Sequence, residues 1–183
     1  RKIGLEKEIK LNIEVNHATL SGHNFEHEIA YAITNNALGS IDINRGDTLL
    51  GWDTDQFPNN PQDLIMAFYF IFASGGFKQG GLNFDAKIRR QSIDPEDLFY
   101  AHIGGMDVSA KTLLCVEKMI NDNNISDYIK NRYKNWDNDL GKFIHDKNND
   151  LGSIAEKVLN DNIDPKPISG QQEFLENILN KYL

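Results

Sequence analysis

The sequence predicts an α/β fold that gives way to an all-helical tail. Two observations carry this. Three short alternating segments are separated by helix-like stretches in the first half, and no further strand pattern follows them.

Leu11-Asn12-Ile13-Glu14-Val15-Asn16 alternates apolar and polar residues, as a strand does. Gly39-Ser40-Ile41-Asp42-Ile43-Asn44 and Gly81-Leu82-Asn83-Phe84-Asp85-Ala86 repeat the pattern. In each, Leu11, Ile13 and Val15, Ile41 and Ile43, or Leu82 and Phe84 face one way, while Glu14, Asp42 or Asp85 faces the other. Phe25 to Ala37 and Asp63 to Ala73 show helical spacing, punctuated by Gly22 and Gly75-Gly76. Strand, helix, strand, helix, strand implies parallel βαβ units. In a (β/α) barrel the chemistry gathers at the carboxyl ends of the strands, where these three acids fall.

Pro95-Glu96-Asp97 opens a long helical pattern through about Asn121, with Asp94 as its N-cap. From Asp122 the chain is rich in Asn, Asp and Lys, with helical candidates at Ile125–Trp136, Leu151–Leu159 and Gln171–Leu183. Asp146–Asp150 reads as an exposed turn. The expected division is therefore 1–121 and 122–183.

Composition narrows the function classes. The 183 residues are 40% hydrophobic and 25% charged, as in a globular protein, and the formal net charge is −8. Nucleic acids and anionic membranes favour a basic face, so neither is an expected partner. The single cysteine, Cys115, lies in an apolar helical run and reads as core packing. One cysteine cannot form an intramolecular disulfide, which fits a cytoplasmic location. No apolar run approaches the roughly 20 residues of a membrane span, and no signal peptide is visible.

The residues that could carry chemistry are Glu14, His17, Asp42, Asp53, Asp55 and Asp85. Five carboxylates and one imidazole converging on one face would repel each other and raise their own pKa values. Divalent cations relieve that repulsion, and an oxygen-rich set with one His suits Mg²⁺, Mn²⁺ or Co²⁺. Asp53-Thr54-Asp55 can present two carboxylates on one side of an extended loop. Glu14 and His17, three apart across a strand end, can aim at one ion. Blander readings stand beside this one. Asp42, and Asp47 beside Gly46, are also turn formers. A lone His17 is more often a satisfied core or surface group, and Asp53 and Asp55 could sit in a solvated loop. Three inward carboxylates at matching strand positions are harder to explain that way, since burying unpaired charge is costly.

Ile13 to Leu20, Gly39 to Asp42 through Gly46-Asp47, Gly51 to Pro58 and Gly80 to Lys87 resemble xylose isomerase, in its longer class. So do Arg89-Arg90, Pro95 to Phe99, Gly105-Met106-Asp107, Ser169-Gly170 and Gln172-Glu173, in order along the chain. Lys134 to Gly141 departs from the family pattern. The resemblance implies an isomerase acting on D-xylose and D-xylulose, with glucose and fructose as further candidate substrates, on a (β/α)₈ TIM barrel. This chain would supply the last three strands and the helical tail, which would make subunit contacts in a homotetramer. It also implies two divalent cations. Glu14 would bridge both, Asp42 and Asp85 would hold the first, and His17, Asp53 and Asp55 the second. A further Glu ligand, a catalytic Lys and a ring-opening His belong to earlier segments in the family. No catalytic residue beyond the metal ligands is therefore expected in this chain, which by itself should be inactive or nearly so. The alternatives are a non-catalytic fragment that binds metal weakly or only assembles, and another sugar isomerase of the same superfamily.

Overall fold

A computed structural model describes Gly4, Leu5, residues 7–47 and residues 49–183. Arg1 and its two neighbours, at the start of the first expected domain, lie outside the described residues. The chain divides into two compact units. One runs to Asn121 and takes in Tyr182 and Leu183; the other spans Asp122 to Lys181.

The first unit is mixed α/β. Strands β1 (Leu11–Glu14), β2 (Leu38–Asp42) and β5 (Leu82–Asn83) form a parallel sheet in the order β1-β2-β5. Ile13 lies opposite Ile41, Glu14 opposite Asp42, and Asp42 opposite Asn83. The acids of neighbouring strands therefore sit side by side at the carboxyl edge. Among the described residues the sheet has these three strands and does not close into a barrel.

The crossovers are helical, as parallel pairing requires. Helices α1 (Val15–Leu20) and α2 (Phe25–Thr34) join β1 to β2. Helix α3 (Ile65–Ala73) precedes β5. Its sequence, Ile-Met-Ala-Phe-Tyr-Phe-Ile-Phe-Ala, is apolar nearly all round, as in a buried helix. It packs on α2, and α2 packs on β1 and β2. Ile29, Ile41, Ile43, Leu64, Ile65, Phe68 and Ile71 are at most 1% exposed and form the core.

Helix α4 (Pro95–Asp122) begins with proline, whose missing N–H is no loss in a first turn. The Asp97 carboxylate accepts from the Asp94 N–H at 3.0 Å, one half of a capping box. Gly105, Ser109, Thr112, Val116 and Met119 recur at helical spacing and are buried. Cys115 is buried beside them, its Sγ donating to the Tyr182 carbonyl at 2.7 Å.

Two local expectations need correction. Alternation suggested a strand through Asn16, but β1 stops at Glu14 and α1 begins at Val15. The alternating apolar pattern does not mark the turn, since Ile13 and Val15 are buried here on either side of it. Asp53-Thr54-Asp55, expected in an extended loop, belongs to a strand. Strand β3 (Arg45–Asp47) pairs antiparallel with β4 (Trp52–Gln56), Asp47 lying opposite Trp52.

The second unit is helical. Helix α5 (Asn124–Tyr133) runs into a 3₁₀ turn at Lys134–Asp137. Helix α6 (Asp139–His145) follows, beginning at the end of the stretch that departs from the family pattern, where no helix was expected. Helix α7 (Leu151–Asn160) opens on a capping box in which Asp150 and Ser153 bond reciprocally. Helix α8 (Gln172–Ile178) ends in a 3₁₀ turn at Leu179–Lys181. Its segments are tied by hydrogen bonds from Arg132 to the Ile168 carbonyl and from Tyr128 to the Gly170 carbonyl. Among the described residues no helix is long and apolar enough to cross a membrane.

Candidate metal centre

Glu14 is the last residue of β1 and the N-cap of α1, with extended backbone at φ −104° and ψ 133°. The turn into helix places His17, three residues on, on the same side. His17 Nδ1 lies 3.1 Å from Glu14 Oε2, and His17 Nε2 lies 2.9 Å from Asp53 Oδ2. Glu14 and His17 do lie across the end of β1, and the helix beginning at Val15 is what brings them together.

Two sets of ligand atoms result, each with its members within 4.8 Å of one another: Glu14, His17 and Asp53; and Glu14, Asp42 and Asp85. Glu14 belongs to both. Register explains the second set, since Glu14 and Asp42 are paired across β1 and β2 and Asp85 lies two residues past the end of β5. Asp55 stands outside both sets and takes the Lys87 ammonium at 2.5 Å.

Amides surround the acids. Asn44, only 1% exposed, donates to Glu14 Oε1 at 2.6 Å and to the Asp85 carbonyl at 2.9 Å, and accepts from the Asn16 N–H at 2.9 Å. Asn16 donates through its side chain to Asp53. Asn12 and Asn83 both donate to the Asp42 carboxylate, at 2.5 and 3.3 Å. Arg89 bonds the carbonyls of Thr54, Asp55 and Lys87, tying β4 to the loop that carries Asp85. Asn16, Asn44 and Arg89 were not picked out as site residues from the sequence. For Asn44 a signal existed, because it follows Asp42 by two in an alternating segment.

Gly46 shows how closely this shell is packed. A Cβ there would fall 1.9 Å from Asn16 Oδ1. That oxygen is buried and has no hydrogen-bond partner.

The electrostatics describe a site short of positive charge. Burial pushes the Glu14 carboxyl above its ordinary value; Asn44 and His17 oppose this, and the neighbouring Asp53 and Asp85 add to it. Asp53 is held below the usual range, first by its hydrogen bond with Asp55 and then by Asn16 and His17. A divalent cation beside Glu14 would reverse the cost of its burial and separate the acids. The donors, carboxylate oxygens with one imidazole, fit Mg²⁺, Mn²⁺ or Co²⁺.

Fold and site together define an α/β protein with a cation-ready acidic cluster at the carboxyl ends of parallel strands. Comparison with known proteins carries this further. Over all 183 residues the chain is 56% identical to a xylose isomerase of Histophilus somni, 53% to one of Actinobacillus succinogenes and 52% to one of Haemophilus influenzae. A family model described as the XylA2 C-terminal domain matches residues 129–183. The chain belongs to the xylose isomerase family and corresponds to its C-terminal portion. It spans 41–42% of the length of these relatives.

Proposed function

We propose that this chain is the part of a xylose isomerase that holds most of a two-cation centre for interconverting D-xylose and D-xylulose. The observation that carries this is the sharing of Glu14 by two ligand sets. A carboxylate common to both is suited to bridging two ions. Asp42 and Asp85 would complete this chain's share of the first site, and His17 and Asp53 that of the second. Asp55 would join the second on releasing Lys87.

Two divalent cations held there would supply Lewis acidity toward neighbouring sugar oxygens, the chemistry suited to a hydride shift between C2 and C1. Asn44 keeps the Glu14 carboxylate aimed, and Arg89 holds the Asp53–Asp55 strand against the loop that carries Asp85. Glucose and fructose are further candidate substrates.

The three strands are, on this reading, the last three of a (β/α)₈ barrel, and the N-terminal half of the barrel supplies the remaining ligand and the proton-transfer groups. The unit from Asp122 onward is assigned to subunit contacts in a homotetramer, and the enzyme to the cytoplasm. The open sheet favours a second reading for the isolated chain, a fragment that binds metal weakly or only assembles.

The test is conversion of xylose to xylulose with Mn²⁺ or Mg²⁺, by the chain alone and then with the N-terminal part of the protein added. Near-zero turnover alone and restored turnover on addition are expected. Residues acting as a unit are grossly non-additive, so part of the machinery should yield almost nothing. Robust turnover by the 183-residue chain would refute the division of labour. Unchanged binding of two ions by Glu14→Gln would refute the bridge.

A further inference from the structure

A second group of metal-ligating side chains lies at the junction of α1 and α2. The ligand atoms of His23, His27 and Glu28 all lie within 4.8 Å of one another. The group shares no residue with the acidic centre, and the reading above gives it no role.

Its placement follows from how the two helices meet. Gly22 (φ +81°) ends α1 in the left-handed conformation. The Gly22 N–H bonds the Thr19 carbonyl at 3.1 Å, and the His23 N–H bonds the Ala18 carbonyl at 3.0 Å, a Schellman motif. The next residue, Asn24, caps α2 by accepting from the His27 N–H at 3.0 Å. His23 is thus pinned as the residue before an N-cap, and Glu28 occupies the fourth helical position. Those two positions meet in a hydrophobic staple, but here they carry an imidazole and a carboxylate. His23 Nδ1 bonds Glu28 Oε1, and the rings of His23 and His27 lie 5.0 Å apart.

We propose that His23, His27 and Glu28 form a separate site for a borderline transition-metal cation of the Zn²⁺ type. Two imidazoles and one carboxylate make a three-ligand set that leaves a position open to water. Such donors select Zn²⁺ over Mg²⁺, in contrast to the oxygen-rich centre around Glu14. The first turn of a helix repels a cation, and Glu26 and Glu28, both in that turn, offset this. Both histidines are exposed, so the site needs no rearrangement of the core. A bound ion would join the end of α1, the helix that carries His17, to the start of α2.

The experiment is Zn²⁺ titration of the 183-residue chain by calorimetry, repeated on Glu14→Gln, His27→Gln and their combination. Glu14→Gln should keep one Zn²⁺, which excess Mg²⁺ does not displace. Adding His27→Gln should weaken that ion by at least about tenfold, since even outer partners of a metal site cost that much. In the otherwise unchanged chain, His27→Gln alone should weaken one bound Zn²⁺ by the same factor and leave Mn²⁺ binding intact. This single variant changes an exposed helix residue and serves as the decisive measurement if Glu14→Gln fails to fold. Zn²⁺ stoichiometry and affinity unaffected by His27→Gln would overturn the site. Loss of all Zn²⁺ in a folded Glu14→Gln protein would overturn it too, while leaving the reading of the acidic centre standing.

Discussion

The two units of this chain are stabilised in different ways. Up to Asn121 the fold buries a set of large aliphatic and aromatic side chains, with Ile29, Ile41, Ile65, Phe68 and Ile71 essentially sealed from water. From Asp122 to Lys181 the buried hydrophobic residues are Ile125 and Ile178, while Leu151 and Leu159 of α7 are 86% and 78% exposed. The helices of this second unit rest more on hydrogen bonds: local ones in the Asp150–Ser153 capping box and from the Gly141 N–H to the Asn138 side chain, and a longer-range one from Arg132 to the Ile168 carbonyl. The contrast teaches that the ligand cluster stands on the part of the chain with a core. A site needs its ligands held to a fraction of an ångström, which rigid, packed elements provide.

The sharpest way to break this comparison is at Phe68. Phe68→Ala should cost about 3–5 kcal/mol, read by urea denaturation of the first unit. A loss below about 1 kcal/mol would mean that the core is not close-packed.

Metal should separate the units next. At a hundredfold excess over its dissociation constant, Mn²⁺ should stabilise the first unit by about 2.7 kcal/mol. Hydrogen exchange should slow there, and not between Asp122 and Lys181. The effect should fade as pH drops, because ligands must shed protons to bind. Glu14, whose carboxyl burial holds above its ordinary value, takes up a proton at a higher pH than an ordinary Glu would. Protection that is equal in both units, or insensitive to acid, would argue against a centre at Glu14.

Gly46→Ala should have a smaller effect, about 1–3 kcal/mol from overpacking. It should also weaken Mn²⁺ binding, because the new methyl displaces Asn16 and with it the hydrogen bond to Asp53. Calorimetry beside a melting curve separates the two consequences. The smallest effect belongs to the second unit: Leu151→Ala, at an exposed position, should stay within about 0.5 kcal/mol in the isolated chain. A larger loss in an assembled protein would show that α7 is covered there.

Much of the chain's plan could be read from residue order. The apolar spacing of α2, α3 and α4 is local, and so are the three alternating segments, because hydrophobic period and secondary structure are the same regularity. The candidate cluster was legible in part: the acids at the strand ends stood out as costly to bury unpaired, and Glu14, Asp42 and Asp85 do lie together while Asp55 does not join them. The α1 turn, the β3–β4 hairpin and α6 were not legible. Val15 is an apolar residue that fits the alternating pattern of a strand as well as the start of a helix, and the hairpin strands are short and polar.

The amino-acid sequence alone determined the α/β character of the first half, the helical character of the second, and the residue types of the acidic cluster. Tertiary structure decided which acids meet. Glu14 reaches His17 only because the chain turns into a helix there, and Asp42 only because of parallel register. Asn44 reaches Glu14 across 30 positions of sequence, and Asp55 goes to Lys87 across 32. Helical and strand periods are set by neighbours within a few residues, whereas these contacts exist only after distant segments have closed on one another, and no local pattern records them.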